Sequence, residues 1–192
     1  MSSVLVSLAL VSLSAVSTPA KAYRSRADLT RGIARFYDAS SKLWERVWGE
    51  HMHHGYYVSG AKARVSHAQA QVDMVDRVLE FASIGDNAAV ERVLDVGCGI
   101  GGSTRHIATR FGCAGEGITL SPYQAARARD VSAAAGLGDK LDFRVADALN
   151  MPFADASYGL VWSLESGEHM PDKRQFVSEL CRVLRPGGRL II

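Results

Sequence analysis

A glycine-rich turn between an apolar strand pattern and a helix pattern is the feature that most constrains the fold. In "VLDVGCGIGGSTR", residues 93–105, an apolar run leads into Gly97, Gly99, Gly101 and Gly102. Glycine permits a tight turn and lets a ligand approach the backbone, and the N–H groups of a helix N-terminus attract an anionic group. The segment therefore predicts a strand–turn–helix unit with a ligand site at the turn.

Strand and helix patterns alternate through the rest of the chain. Strands are predicted at 92–97, 114–120, 141–147, 158–163 and in the final "RLII" after an "RPGG" turn, and helices at 103–111, 121–136 and 172–184. This alternation with short connections is typical of a parallel sheet with helices on both faces. We predict an α/β, Rossmann-like domain over residues 86–192. Because a domain seldom ends inside a buried strand, we expect this sheet to be C-terminally incomplete.

The first 85 residues divide into a leader and a helical layer. Residues 1–27 contain no acidic residue and are rich in Ser, Ala and Val, which fits an organelle transit peptide better than a secretory signal or a weak membrane anchor. Residues 28–85 show helical periodicity and are predicted to form an N-terminal helical cap. Ser40 or Ser41 is expected to begin its second helical segment, and Ser66 the next.

Charge and cysteine content exclude several classes of protein. The chain has 22 basic and 20 acidic residues, a net charge of +2 and no block of like charge, so we expect no nucleic-acid partner. The three cysteines, Cys98, Cys113 and Cys181, lack CxxC spacing. Neither a disulfide framework nor a zinc site is therefore predicted.

Three positions distinguish the ligands that the glycine turn can bind. The turn alone fits nicotinamide or flavin dinucleotides, S-adenosylmethionine (SAM), or no ligand at all. Asp95 lies within the strand, where a carboxylate can face the amino group of a methionine moiety. Thr119 stands where a dinucleotide fold has an acidic residue for the ribose. Asp147 ends the third strand and can accept a hydrogen bond from an adenine amino group, beside the Ala148 backbone, although it can equally cap a turn. Together these positions favour SAM over NAD.

Longer motifs resemble a known family. "VLDVGCGIGG", "VADALNMPFADASYGLVWSLESGEHMPDK" and "VLRPGGRLII" resemble the three SAM motifs of class I methyltransferases. "FYDASSKLWERVWGEHMHHGYY", "GITLSPYQ" and "SLESGEHMPDK" resemble, more narrowly, the gamma-tocopherol methyltransferase family of plants and algae, which includes related indole-alkaloid N-methyltransferases. The resemblance covers about residues 28–192.

The resemblance implies a SAM-dependent C-methylation of the chromanol ring of gamma-tocopherol, a step of vitamin E biosynthesis in the chloroplast. The substrate would be a small hydrophobic aromatic molecule. The alternatives are N-methylation of a plant-type amine or alkaloid, and an inactive, truncated fragment that binds SAM. Peripheral membrane association and the oligomeric state stay open.

The resemblance also implies a set of SAM contacts. The glycine turn would line the methionine end, Asp147 and Ala148 would meet the adenine, and Ser163 would lie beside the sulfonium. In this family threonine replaces the usual acidic ribose ligand. The expected cofactor-binding residues are Asp95, Gly97, Cys98, Gly99, Gly101, Thr119, Ser121, Gln124, Asp147, Ala148 and Ser163.

Histidines and a carboxylate are the candidates for acid–base chemistry. His51 and His53 are interpreted as solvated or structural, and His54 as the histidine closest to the cofactor–acceptor junction. No metal site is predicted, because methyl transfer from SAM requires no Lewis acid and no ligand cluster matches these histidines. A base that removes a phenol proton raises the electron density of the ring. We expect His169 or Glu168, just after the fourth strand, to be that base, or else to order the loop by a hydrogen bond.

Aromatic side chains in the helical layer allow two interpretations. Phe36, Tyr37, Trp44 and Trp48 are expected either to form an apolar entrance for a prenylated substrate or to be buried between docked helices.

Overall fold

The computed structural model describes residues 25–58, 65–86 and 88–192. The leader predicted from its composition lies largely outside these residues, except that its last residues belong to the first helix. The helices are α1 (Arg26–Trp48), α2 (His67–Phe81), α3 (Gly102–Phe111), α4 (Pro122–Ala134) and α5 (Lys173–Val183), with a 3-10 turn at Gly167–His169. The strands are β1 (Arg92–Val96), β2 (Ala114–Thr119), β3 (Leu141–Val145), β4 (Tyr158–Trp162) and β5 (Leu184–Ile191).

The five strands form one parallel sheet in the order β3-β2-β1-β4-β5. The strand order reverses between β1 and β4, because the chain first moves outward through β2 and β3 and then returns to the other side of β1. Ligands of open α/β sheets bind at the carboxyl ends of the strands beside such a reversal. The α/β Rossmann-like prediction is confirmed, and its glycine turn lies at the reversal.

The "RPGG" segment differs from the prediction. Its sequence predicts a turn before the last strand, but β5 already begins at Leu184 and contains the segment as an irregularity. Tyr158 pairs with Leu184 and Leu160 with Arg189, so three extra residues of β5 bulge out between these pairs. Gly187 has a positive φ of 76°, which glycine adopts without strain.

Apolar side chains cover both faces of the sheet. On one face, Val75 and Leu79 of α2 pack with Val93 of β1 and residues of α3. On the other face, Leu94 and Val96 of β1 pack with α5. The alternation along β1 thus buries both faces of the strand, as expected for a central parallel strand.

Helix α1 is continuous, so the predicted cap at Ser40 or Ser41 is wrong. The helix begins at its cap residue Ser25, whose side chain accepts a hydrogen bond from the Asp28 backbone. Ser41 is buried inside the helix and accepts from Gln124 Nε2 at 3.0 Å. Polar contacts of this kind hold α1 on α4: Ser41 with Gln124, Asp38 with Ser121 and the Tyr123 backbone, and Glu45 with Arg127. The cap predicted at Ser66 is present in α2.

Among the described helices, none combines the length and the apolar character that crossing a bilayer requires.

Removal of a core side chain beside the glycine turn should strongly destabilise the domain. Leu94 is fully buried between the sheet and α5. We expect Leu94→Ala to lower the free energy of unfolding by about 2–5 kcal/mol, measured by denaturant titration. Leu43→Ala is the matched control, because the Leu43 side chain is exposed and its removal should change stability by less than about 0.5 kcal/mol. Equal losses in the two variants would contradict this account of the core.

Candidate functional site

The turn after β1 is closed by backbone hydrogen bonds and by contact with the segment after β4. The N–H groups of Gly97 and Cys98 both donate to the Ile118 carbonyl. Gly97 has a φ of 85°, and a Cβ on it would lie 2.3 Å from Ser166 Cβ. Only glycine fits at Gly97, because any side chain would collide with Ser166.

Two hydroxyls fix the end of β1. Ser163 Oγ and Ser166 Oγ each donate to the Val96 carbonyl at 2.9 Å, and the two hydroxyl oxygens are 2.6 Å apart. Both serines are buried. This arrangement holds the residues that follow β4 beside the glycine turn. Ser163 itself does not line the cavity described next.

A cavity of about 1060 Å³, counting its open mouth, lies at the carboxyl ends of the strands. The cavity brings together eight of the predicted cofactor residues and one predicted catalytic residue: Asp95, Gly97, Cys98, Gly99, Thr119, Gln124, Asp147, Ala148 and His169. Gly101, Ser121, Ser163, Glu168 and His54 do not line it.

Asp95 is a buried carboxylate on the wall of the cavity. Thr104 Oγ1 donates to its Oδ2 at 2.7 Å. Burial raises the pKa of Asp95 to about 7, although the bond from Thr104 favours the ionised form. Asp95 has no positively charged partner among the described residues. A cationic group in the cavity could therefore pair with its carboxylate.

Asp147 has two partners in this structure. Its Oδ1 accepts from the Leu149 backbone at 2.9 Å, and its Oδ2 accepts from Arg26 Nη2 at 3.0 Å. The turn-cap role considered from the sequence is thus present. Because Arg26 is half exposed and belongs to the first turn of α1, the second oxygen is available to a ligand only if this ion pair opens.

The predicted ribose contacts form a chain of hydrogen bonds. Thr119 Oγ1 donates to Gln124 Oε1 at 2.7 Å, and Gln124 Nε2 donates onward to Ser41. Ser121 is the fully buried cap of α4, where it accepts from the Gln124 backbone and donates to Asp38. The Ser121 side chain is therefore occupied within the protein, whereas Thr119 and Gln124 face the cavity.

The histidines of the loop after α1 form a buried pair with defined protonation. His53 Nδ1 lies 2.8 Å from the His54 carbonyl, which can only accept, so this nitrogen carries the proton. His53 Nε2 must then accept from His51 Nδ1, 3.1 Å away. Burial lowers the pKa of both rings, that of His51 to about 3, with His53 as a second cause. Both histidines are thus neutral at pH 7, and both line the cavity.

The same loop is fixed to α2 and covers the glycine turn. Gln71 Nε2 donates to the carbonyls of His51 and His53 at 3.0 and 2.7 Å. Met52, between them, packs so closely on Gly99 that a Cβ on that glycine would lie 2.9 Å from Met52 Cγ. The loop therefore forms a wall of the cavity over the turn.

Two further side-chain pairs include residues that line the cavity. The Tyr37 hydroxyl is 3.0 Å from His169 Nε2, and both residues line the cavity. Burial, with the charge of Glu168 as a second cause, raises the pKa of Tyr37. Glu165 also lines the cavity and accepts from His54 Nδ1 at 2.8 Å and from the His54 backbone.

Glu165 has an unusual backbone conformation. Its φ is +52°, a region that side-chain-bearing residues seldom adopt. Such strain concentrates at functional sites, where the surrounding structure holds it in place. Here the ring and backbone of His54 hold the carboxylate.

The described residues contain no group of three or more His, Cys, Asp or Glu side chains arranged to hold a metal ion.

Comparison with known proteins identifies the domain. A sequence profile of the family described as "Methyltransferase domain" matches residues 94–192, just over half of the chain. The chain belongs to this family.

Curated relatives of this chain are considerably longer. A probable chloroplastic tocopherol O-methyltransferase of Oryza sativa subsp. japonica is 56% identical over 85% of this chain and 46% of the relative. The chloroplastic tocopherol O-methyltransferase of Arabidopsis thaliana is 52% identical over 90% of this chain and 51% of the relative. Norajmaline N-methyltransferase of Rauvolfia serpentina is 39% identical over 86% of this chain and 59% of the relative. The chain spans about half the length of the first two relatives.

Solved structures share the fold. The [4+2]-cyclase SpnF has a TM-score of 0.75 and 32% identity over 84% of this chain and 58% of that chain. Geranyl diphosphate methyltransferase in complex with geranyl diphosphate and sinefungin has a TM-score of 0.72 and 26% identity, over 84% of this chain and 64% of that chain. The same enzyme in complex with SAM has a TM-score of 0.63 and 28% identity, over 73% of this chain and 60% of that chain. A cyclase and a methyltransferase thus share this architecture, so chemistry must be argued from the site.

Several residues that line the cavity were not predicted from the sequence. The sequence marks Tyr37 only as one aromatic of the helical layer, and Glu165 and Ser166 only as neighbours of Glu168. Leu29, Thr30 and Ile33 of α1 also line the cavity. The spacing of Thr30, Ile33 and Tyr37 at three and four residues was the available signal for a helix face directed at the site.

The buried histidine pair makes a pH prediction for stability. The pKa of His51 is about 3 in the folded protein and about 6.5 in the unfolded protein. The stability that neutral His51 contributes is therefore fully present above about pH 6.5. It is lost as the pH falls towards 3, because protonation then favours the unfolded protein. His51→Asn keeps a donor near the Nδ1 position but does not titrate. We expect the free energy of unfolding of this variant to fall less steeply between pH 6 and 4, by up to about 1.4 kcal/mol per pH unit. Parallel pH profiles of the two proteins in denaturant titrations would refute the assignment.

Proposed function

We propose that this chain carries the SAM site of a chloroplast methyltransferase that methylates the chromanol ring of gamma-tocopherol in vitamin E biosynthesis. The observation that carries the proposal is the open cavity at the reversal of strand order, with the glycine turn and Asp95 on β1 and Asp147 after β3. Relatives named as chloroplastic tocopherol O-methyltransferases, more than 50% identical, support the substrate and the compartment.

The side chains of the cavity suit the two ends of SAM. Asp95 supplies a buried carboxylate for the ammonium group of the methionine moiety. Asp147, two strand spacings or about 10 Å away along the edge, supplies an acceptor for the adenine amino group. Thr119 and Gln124 lie on β2 and α4 between these ends, where they supply hydroxyl and amide groups for the ribose.

The acceptor would lie against Tyr37, Glu165 and His169. When bound, SAM supplies an electrophilic methyl group to the ring carbon next to the phenol hydroxyl. His169 accepts the phenol proton in this proposal, because a phenol, that of Tyr37, already contacts its Nε2 at 3.0 Å. The substrate hydroxyl would replace that of Tyr37 on this nitrogen, and its loss of a proton raises the electron density at the reacting carbon. After the methyl group has bonded to that carbon, the hydrogen on the carbon leaves as a proton and the aromatic ring is restored. Glu168 lies outside the cavity lining and would act only by orienting His169, 4.0 Å away.

A second candidate is N-methylation of an amine or alkaloid. The similarity to norajmaline N-methyltransferase favours it, and Glu165 would bind the ammonium form of such a substrate and accept its proton, which frees the nitrogen lone pair to attack the methyl group. Isotope-labelled SAM incubated with gamma-tocopherol and, separately, with an indole alkaloid distinguishes the two. The absence of labelled tocopherol would overturn the leading proposal. Because the relatives are named O-methyltransferases, NMR of the product must also locate the new methyl group on carbon or on oxygen.

Substitution of His169 tests the proposed base. We expect His169→Gln to lower kcat by about 10²–10⁴-fold with tocopherol, because it removes the acceptor of the phenol proton. Glu168→Gln is the matched control and should lower kcat by less than about tenfold. Steady-state kinetics of the two variants measure the difference, and equal losses would exclude a specific role for His169.

The buried carboxylate predicts how SAM binding depends on pH. Because the pKa of Asp95 is about 7 without a ligand and only the ionised form attracts the ammonium group, the Kd for SAM should rise by up to tenfold per unit as the pH falls below 7. The Asp95→Asn variant should bind SAM weakly, and its Kd should not change with pH because the titrating carboxyl is gone. The Asp147→Asn variant should also bind SAM weakly, but its Kd should keep the pH dependence of the wild type. Calorimetric titrations from pH 5.5 to 8 measure both. A Kd of the wild type that does not change with pH would refute the contact between Asp95 and the ammonium group of SAM. Binding of NAD without binding of SAM would refute SAM as the ligand.

A further inference from the structure

Methylation of a phenol on a ring carbon requires two proton transfers at different stages. The proposed base His169 takes the hydroxyl proton before the methyl group moves. When the new carbon–carbon bond forms and the carbon–sulfur bond breaks, the ring becomes a dienone whose methylated carbon still carries its hydrogen. The ring is aromatic again only after a base has removed this hydrogen as a proton. A second proton acceptor is therefore needed beside the acceptor ring.

The histidines of the cavity do not supply this second acceptor. His169 already holds the hydroxyl proton at this stage, and a doubly protonated imidazole has no free lone pair. His51 and His53 also line the cavity, but burial lowers the pKa of both rings, that of His51 to about 3, so they are poor bases. The Cys98 thiol and the Tyr37 hydroxyl stay protonated, because burial raises the pKa of each. A carboxylate remains as the class of base.

Among the described residues, three carboxylates line the cavity: Asp95, Asp147 and Glu165. Asp95 and Asp147 are proposed to bind the ammonium and adenine ends of SAM. Glu165 lies at the end proposed for the acceptor. Its side chain is 31% exposed, so a proton that it accepts can pass to water.

The Glu165 carboxylate is held in place from two directions. Ser163 and Ser166, on either side of it in sequence, both donate to the Val96 carbonyl. His54 Nδ1 lies 2.8 Å from Glu165 Oε2, and the His54 backbone N–H donates to the same oxygen at 3.1 Å. His54 belongs to the loop after α1, 111 residues away in sequence. A left-handed residue that long-range contacts maintain on a cavity wall is typical of a functional position.

We propose that Glu165 is the base that removes the ring hydrogen after methyl transfer, and that His54 positions its carboxylate. The electron pair of the carbon–hydrogen bond returns to the ring, and the ring oxygen takes back the proton that His169 holds. The proton on Glu165 leaves to water. One proton is thus released for each methyl group transferred, as the reaction of a cationic methyl donor with a neutral phenol requires. This role rests on the proposed C-methylation and supplies the step that completes it.

Single-turnover measurements with gamma-tocopherol tritiated at the reacting ring carbon test Glu165. Formation of S-adenosylhomocysteine reports methyl transfer, and tritium in water reports loss of the ring hydrogen. In the wild type we expect equal rates, because methyl transfer limits both. The Glu165→Gln variant keeps an acceptor for His54 but cannot take the proton, so tritium release should be slower than methyl transfer by roughly tenfold or more. Glu80→Gln is the control, because Glu80 is an exposed carboxylate of α2 bonded to Arg77, and it should keep the two rates equal.

Two further comparisons separate the carboxylate from its backbone and its support. Aspartate adopts positive φ more readily than most residues, so Glu165→Asp should fold normally and restore most of the tritium release. His54→Ala should slow tritium release relative to methyl transfer, because it removes the ring donor. His54→Asn keeps a donor near the Nδ1 position and should slow it less. Circular dichroism checks that each variant is folded.

The outcomes distinguish this role from the proposed function. Equal rates of methyl transfer and tritium release in folded Glu165→Gln, whether both are normal or both are slowed, would overturn the role of Glu165 and leave C-methylation intact. Tritium retained in a methylated product would place the methyl group on oxygen and overturn both. The absence of any methylated tocopherol with the wild type would overturn the proposed function, and the role of Glu165 with it.

Discussion

The close approach of two strand ends is the constraint on which the site depends. Gly97 leaves no room for a side chain, and Ser166 fills that place, while two serine hydroxyls bind the carbonyl of Val96. Because of this contact, the residues after β4 stand beside the turn after β1. One cavity is then lined by Asp95, the glycine turn, Glu165 and His169. A larger residue at Gly97 would separate the groups that are proposed to bind donor and acceptor.

Buried polar groups around the cavity are held in defined states by their neighbours. The carbonyl of His54 sets the proton of His53, which in turn sets that of His51. Gln71 fixes the same loop through two carbonyls. Helix α1 is attached to α4 by side chains along its length, but near its beginning it contacts the cavity edge through Arg26 and Asp147. The wall over the glycine turn is thus rigid, whereas the wall over Asp147 depends on one half-exposed ion pair.

Much of this arrangement is predictable from local sequence signals, and the remainder depends on long-range contacts. The alternation of strands and helices, the glycine turn, and Asp95 and Asp147 at strand ends follow from periodicity and spacing. The continuity of α1 does not, because Ser40 and Ser41 look like caps until α4 supplies partners for this helix. Tyr37 and His169 are 132 residues apart, and no local pattern indicates that they meet. The motif around Ser121 suggests a ribose contact, but Asp38, distant in sequence, occupies its hydroxyl.

The backbone of Glu165 has a consequence for substitution at this position. A left-handed conformation at a residue with a side chain costs on the order of 1–3 kcal/mol, and glycine would relieve most of it. Glycine would also delete the carboxylate that faces the cavity. The same change would also remove the hydrogen bonds from the His54 ring and backbone to this carboxylate. Relief of backbone strain at Glu165 is therefore opposed by loss of the link between the loop after α1 and the segment after β4.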